Sequence, residues 1–169
     1  MPSHVVLIGM MGSGKTTVGR VLAESVGRQL RDSDAMIEAA TGRTVREIFA
    51  TDGEPAFRVL ETEALTSALA EVVPVVVAGA GGIVLAEKNR ALLHECSLVI
   101  WLRCDPAELA RRVMDGSVHR PLLGDDPLGV LQKMYVDRKD LYTQVATHII
   151  DVDGRRPQDI AEEVRTLMP

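Results

Sequence analysis

The sequence predicts an α/β fold built on a parallel sheet. Two observations carry that prediction. Short apolar runs rich in β-branched residues alternate with segments of helical period along the whole chain. The first and third of those runs end in glycine turns, and the second ends in the acidic triplet Asp32-Ser33-Asp34. In a parallel sheet, ligands bind beyond the carboxyl ends of the strands, so all three turns fall on one edge and predict a site assembled from separate parts of the sequence.

The elements follow in order. HVVLI (4–8) is a continuous β-branched run, as expected of a strand buried on both faces. After GMMGSGKTT (9–17), Val18, Val21, Leu22 and Val26 recur at helical spacing, and Gly27 can stop that helix. A short strand covers about 28–32, and Asp34 is placed to cap a helix over 35–40 that ends at Gly42. Thr44, with Glu47 three residues later, reads as the capping box of the next helix. Gly53 and Pro55 interrupt it, and helix resumes from Phe57. PVVVA (74–78) is a strand, 86–94 a helix, and SLVIWL (97–102) a strand. Pro106 suits the first turn of a helix ending near Met114. Residues 115–126 hold glycine, proline and charge without a period and read as a mobile loop. Helix 127–145, strand THIIDV and a last helix from RRP complete a chain with no repeat or linker.

A chain of 169 residues is expected to form a single domain, 1–169, large enough to fold without disulfides or a structural metal. Aromatic residues make up only 3%, so the core must be aliphatic. The formal net charge of −5 argues against general nucleic-acid binding, which needs clustered Lys and Arg. Cys96 and Cys104 bracket the run LVIWL and are expected at opposite ends of one strand, too far apart for a disulfide. The four histidines show no metal-ligand spacing. The apolar start lacks a basic n-region, and the apolar runs fall short of a membrane span. The expectation is a soluble cytoplasmic protein with no membrane or nucleic-acid partner.

Gly9-x4-Gly14-Lys15-Thr16 matches the P-loop pattern between a strand and a helix, the context the pattern requires. Gly12, Ser13, Gly14, Lys15, Thr16 and Thr17 then supply backbone N–H groups and a helix N-terminus to phosphate. The Lys15 ammonium reaches the β- and γ-phosphates, and the Thr16 hydroxyl is a ligand for Mg2+. A nucleoside triphosphate is therefore expected to bind, with the phosphoryl acceptor left open: water, a protein side chain or a small alcohol. Side chains two apart on a strand share a face. A strand running through residue 34 would turn both Asp32 and Asp34 to the crevice, Asp32 near the metal and Asp34 as the base for an acceptor hydroxyl. The plainer possibility is a solvated turn in which Asp34 only caps the next helix.

With these residues in view, the chain resembles the shikimate kinase family over essentially its whole length. The likeness lies in GMMGSGKTTVGRVLA, DSDAMIEAATGRTVREIFATDGEPAFRVLE, the GG of GAGGIVL, RPLL, DRKDLYTQVA and the final RRP. The resemblance implies a three-layer α/β/α P-loop kinase fold with a five-stranded parallel sheet. It also implies a mobile lid near 115–126 and a helical substrate-binding region near 34–62. It implies a monomeric transferase of aromatic amino acid biosynthesis that moves the ATP γ-phosphoryl to the shikimate 3-hydroxyl with Mg2+. Residue by residue, Asp34 matches the substrate-binding aspartate and base, and Asp32 the one near Mg2+. Arg58 and Arg138 match the arginines on the substrate carboxylate, Gly81 and Gly82 the glycine turn, and Arg120 the lid arginine over the phosphates. Arg155 or Arg156, and likewise Arg111 or Arg112, match the surroundings of adenine.

Two positions depart from the family pattern. Ala80 stands where a third glycine is usual, and a methyl there strains the turn if that position needs a positive φ. Arg31 stands where an apolar residue is usual and puts a charge beside the predicted pocket wall. Two rival functions remain: a kinase for another small hydroxy acid such as gluconate, and a nucleotide-binding regulator without transfer activity.

Overall fold

The computed structural model describes residues 4–96, 98–116 and 123–169. The chain runs β1 (Val5–Ile8), α1 (Lys15–Val26), β2 (Leu30–Asp32), α2 (Ser33–Thr41), α3 (Val45–Thr51), α4 (Gly53–Leu69) and β3 (Val76–Ala78). It continues through α5 (Glu87–His94), β4 (Leu98–Arg103), α6 (Pro106–Asp115), α7 (Pro127–Val145), β5 (His148–Asp151) and α8 (Pro157–Thr166). The five strands form one sheet in the order β2-β3-β1-β4-β5, and every pairing is parallel. The connection through α1 runs outward to the edge strand β2, whereas the later crossovers run back the other way. Right-handed crossovers therefore place α1 on one face and α4, α5 and α7 on the other. The predicted three layers are present.

Strand position explains strand composition. Central β1 is buried along its whole length, as its unbroken VVLI requires, while edge strand β5 buries only Ile150. The main core joins β1, β3 and β4 to Val18 and Leu22 of α1, Leu65 of α4 and Leu109 of α6. Each such side chain contributes about 1.5–3 kcal/mol by leaving water. A second, smaller core stands apart from it: Ile37 of α2, Ile48 of α3, and Phe57 and Ala64 of α4. That satellite core carries the wall of the pocket described below.

Helix ends follow their capping chemistry, with one correction. Thr44 and Glu47 form the expected capping box, with Thr44 N–H donating to Glu47 Oε2 at 2.7 Å and Glu47 N–H donating to Thr44 Oγ1 at 3.2 Å. The expected interruption is present: α3 ends at Thr51 and α4 begins at Gly53, which takes φ 82°, and Pro55 sits in the first turn of α4, where a residue needs no N–H partner. α2 is capped by Asp32, not Asp34: Asp32 Oδ1 accepts from Ala35 N–H at 3.1 Å. β2 pairs with β3 only as far as Asp32 opposite Ala78, so the chain is free to turn into helix at Ser33. Asp34 thus lies in the first turn of α2, and the expectation of a strand through residue 34 does not hold.

Candidate active site

The carboxyl end of β1 opens directly into the phosphate loop. Gly9 leaves the strand at φ 147°, and a Cβ there would lie 2.6 Å from the Leu102 carbonyl oxygen on β4. Only glycine fits that closeness and that conformation together. Gly14 precedes α1, so the N-terminus of that helix, with Lys15, Thr16 and Thr17, faces the loop. Ser13 is buried in the loop. Lys15, only 9% exposed, donates from Nζ to the Met10 carbonyl at 2.9 Å. It lines a cavity of about 80 Å3 with Thr16, Asp32, Asp34, Gly79, Ala80 and Gly81.

Asp32 ends a strand that lies two places from β1, roughly 10 Å across the sheet. The first turn of α1 closes that gap: Thr16 Oγ1 donates to Asp32 Oδ2 at 2.5 Å. Asp34 reaches the same cavity from α2, so the two carboxylates do meet at the crevice, one from a strand end and one from a helix turn.

A second cavity of about 100 Å3 adjoins the first and shares Met11, Asp34, Ala80 and Gly81 with it. Val45, Phe49 and Phe57 make one wall, the two rings 4.6 Å apart. Arg58, Gly82 and Arg138 supply the polar side. Arg58 is held by two carboxylates: Nη1 donates to Glu61 Oε2 at 3.0 Å and Nη2 to Glu54 Oε1 at 2.8 Å. Glu61 is fully buried; burial raises its carboxyl above the ordinary range, with Asp34 adding to the rise and Arg58 and Arg138 opposing it. The Arg58 guanidinium lies against Gly82, where an added Cβ would fall 2.1 Å from Nη1 and 2.5 Å from Nη2. Arg138, 8% exposed, enters from α7. One turn later on α7, the buried Tyr142 donates its hydroxyl to the Gly81 carbonyl and stacks on Trp101, centroids 5.3 Å apart.

Glu61 and Tyr142 carry no role in the sequence reading. Each lies one helical turn from an arginine that does, Glu61 three residues after Arg58 and Tyr142 four after Arg138. That spacing is the signal that could have found them.

The two departures resolve simply. No described non-glycine residue has a positive φ, so Ala80 sits in its turn without backbone strain. Arg31, the middle residue of β2, pairs side by side with Glu71, Nη2 to Oε2 at 3.1 Å, and lines neither cavity. Arg120 and His119 lie outside the described residues. Among the arginines expected near adenine, Arg112 is the one that touches the phosphate loop, donating to the Gly12 carbonyl at 3.3 Å. Arg155 is tied to Glu163 at 2.7 Å, Arg156 to Asp159 at 2.8 Å and Arg111 to Glu108 at 2.8 Å.

Cys96 and Cys104 are free and flank β4 as expected; burial pushes their thiols up to about 11 and about 12. Among the described residues, no three acidic, histidine or cysteine side chains gather as a metal cage, and no helix is long and apolar enough to cross a membrane.

Comparison with known proteins agrees with this geometry. The family model described as shikimate kinase matches residues 11–169. A curated shikimate kinase of Symbiobacterium thermophilum is 45% identical over 163 residues, covering 95% of this chain and 93% of the relative. The solved structure of an Acinetobacter baumannii shikimate kinase in complex with shikimate superposes with a TM-score of 0.93 at 34% identity, covering 99% of this chain and 93% of that one. A Sinorhizobium meliloti gluconokinase, 23% identical over 96% of this chain and 89% of its own, shares the fold at a TM-score of 0.60. With its P-loop, its paired cavities and this likeness along its length, the chain belongs to the shikimate kinase family.

Proposed function

We propose that the protein is a cytoplasmic, monomeric kinase that transfers the γ-phosphoryl group of ATP to the 3-hydroxyl of shikimate. The observation that carries this reading is the position of Asp34, which borders both the cavity of Lys15 and Thr16 and the cavity of Arg58 and Arg138. A carboxylate at that junction can take the proton of a hydroxyl whose oxygen faces the phosphate.

The steps follow from the residues in place. Arg58, Arg138 and the Gly81–Gly82 turn hold the acceptor carboxylate, a task suited to planar guanidinium forks. Val45, Phe49 and Phe57 offer an apolar wall to the carbon face of a ring, which favours shikimate over an open-chain polyol such as gluconate. Asp34 accepts the hydroxyl proton as the oxygen bonds to the γ-phosphorus, and the bond to the bridging oxygen breaks to leave ADP. Lys15 and the N–H groups of Gly12 to Thr17 stabilise the charge on the transferring group. The RPLL motif assigns Arg120 to the same charge, and the contact of Arg112 with Gly12 favours it over Arg155 for the nucleotide side.

The residues fit Mg2+. Thr16 and Asp32 present oxygen donors beside Lys15, and Mg2+ commonly takes one or two protein oxygens and completes its shell with phosphate and water. Thr16 would hold the ion, with Asp32 acting through its water shell. When bound, the ion neutralises charge on the β- and γ-phosphate oxygens.

ADP release by the purified protein with ATP and Mg2+ tests this reading, comparing shikimate, gluconate and no acceptor. Release that depends on shikimate is expected. Release with gluconate alone would change the acceptor, and ATP binding without release under any condition would favour the regulator.

A further inference from the structure

We infer that Tyr142 is a positioning residue for the acceptor carboxylate, its hydroxyl fixing the Gly81–Gly82 peptide so that the Gly82 N–H meets the same carboxylate as Arg58 and Arg138. This inference rests on the acceptor assignment made above and extends it to a residue buried behind the pocket.

The geometry supports it in three ways. The peptide unit is planar and trans, so its C=O and N–H point in opposite directions. The Tyr142 hydroxyl holds the Gly81 carbonyl from the buried side, which turns the Gly82 N–H the other way, toward the cavity that Gly82 lines. Second, Gly82 supports the Arg58 guanidinium directly, with no room between them even for a methyl group. A shift of this peptide therefore moves two groups that face the carboxylate. Third, Tyr142 lies one turn beyond Arg138 on α7, and residues four apart share a helix face. One helix thus carries one carboxylate-binding group and sets the position of the other two.

Packing alone does not call for the hydroxyl. The ring fills space against Trp101, and phenylalanine would do the same. A buried hydroxyl is costly unless it is hydrogen-bonded, and here it meets a carbonyl 61 residues away in the pocket turn and the Arg138 side chain one turn earlier on its own helix. Burial also pushes the phenol up to about 12, so it remains a donor at every working pH.

The test is Tyr142→Phe, which keeps the ring and removes the hydroxyl. Steady-state ADP release would be measured with shikimate and with its methyl ester, which lacks the carboxylate charge, together with the KM for ATP and thermal unfolding. The net value of one hydrogen bond predicts a rise of about three- to tenfold in the KM for shikimate. The KM for ATP should stay within about twofold, and the wild-type preference for shikimate over the ester should fall by the same factor of about three- to tenfold. An unchanged preference, with or without a lower unfolding temperature, would reduce Tyr142 to a packing residue and overturn the inference alone. Wild-type protein that releases no ADP with shikimate would overturn the acceptor assignment, and this inference with it.

Discussion

At the phosphate end of the crevice, nearly every group comes from residues 9–17, a loop whose hydrogen-bonding atoms are mostly backbone. At the acceptor end, Asp34, Arg58, Gly82 and Arg138 arrive from four separate segments, and three of the four act through their side chains. The two ends also rest on different foundations. The phosphate loop grows out of β1, in the middle of the main core, while Asp34, Arg58 and the Phe49–Phe57 wall stand on helices joined by the small core of Ile37, Ile48, Phe57 and Ala64. A backbone cradle for a common ligand can be written into a short motif. A pocket for a particular acid must be assembled, and its parts need buried supports such as Glu61 and Tyr142.

That contrast can be broken most forcefully at the residue the two ends share. Asp34→Asn is expected to lower kcat by about 10²–10⁴, the range for loss of a general base, while ATP binding is retained. Full turnover in this variant would remove Asp34 from the chemistry. Gly82→Ala should act on the acceptor end alone. Its methyl displaces the Arg58 guanidinium, and losing charge-assisted hydrogen bonds should raise the KM for shikimate by about ten- to a hundredfold. The KM for ATP should move little, because Arg58 and Gly82 line the acceptor cavity and not the cavity of Lys15. Equal losses for both substrates would show that the two ends are one mechanical unit.

A smaller effect is expected from the buried support of Arg58. The Glu61 carboxyl is raised above 4.5 by burial. Its protonated form is therefore favoured in the folded state, and the stability it contributes below pH 4.5 is lost as pH rises through the raised value. Glu61→Gln removes that titration. The unfolding free energy of the wild type minus that of the variant should fall as pH increases from below 4.5 upward, measured by denaturant titration at several pH values. A difference that rises over this window would mean that pairing with Arg58 outweighs burial. The smallest effect is expected for Ala80→Gly, since Ala80 has no positive φ to relieve. Both KM values should change by less than about twofold, whereas a large gain in shikimate affinity would reveal strain at that turn.

Much of the fold was legible because its signals are local. The unbroken VVLI of β1, the Thr44–Glu47 capping box and the span of α7 from Pro127 to Val145 depend only on neighbours in sequence. The P-loop was legible for the same reason. Asp34 shows where local signals fail: both aspartates of Asp32-Ser33-Asp34 can cap a helix, and the choice fell to the point where β2 stops pairing with β3. Arg58 and Arg138 were found through the family resemblance, and the one-turn spacing of Glu61 and Tyr142 from them was the only local mark of their supports.

By itself, the sequence determined the strand and helix succession, the parallel sheet and the phosphate cradle, because backbone conformation and amphipathic period are set within a few residues. Only the tertiary structure decided that Thr16 meets Asp32, that Gly82 supports Arg58, and that Tyr142 reaches back to Gly81. Those contacts join residues 16 to 61 positions apart. Their partners are selected by strand order and helix packing, which bring distant segments within hydrogen-bond reach.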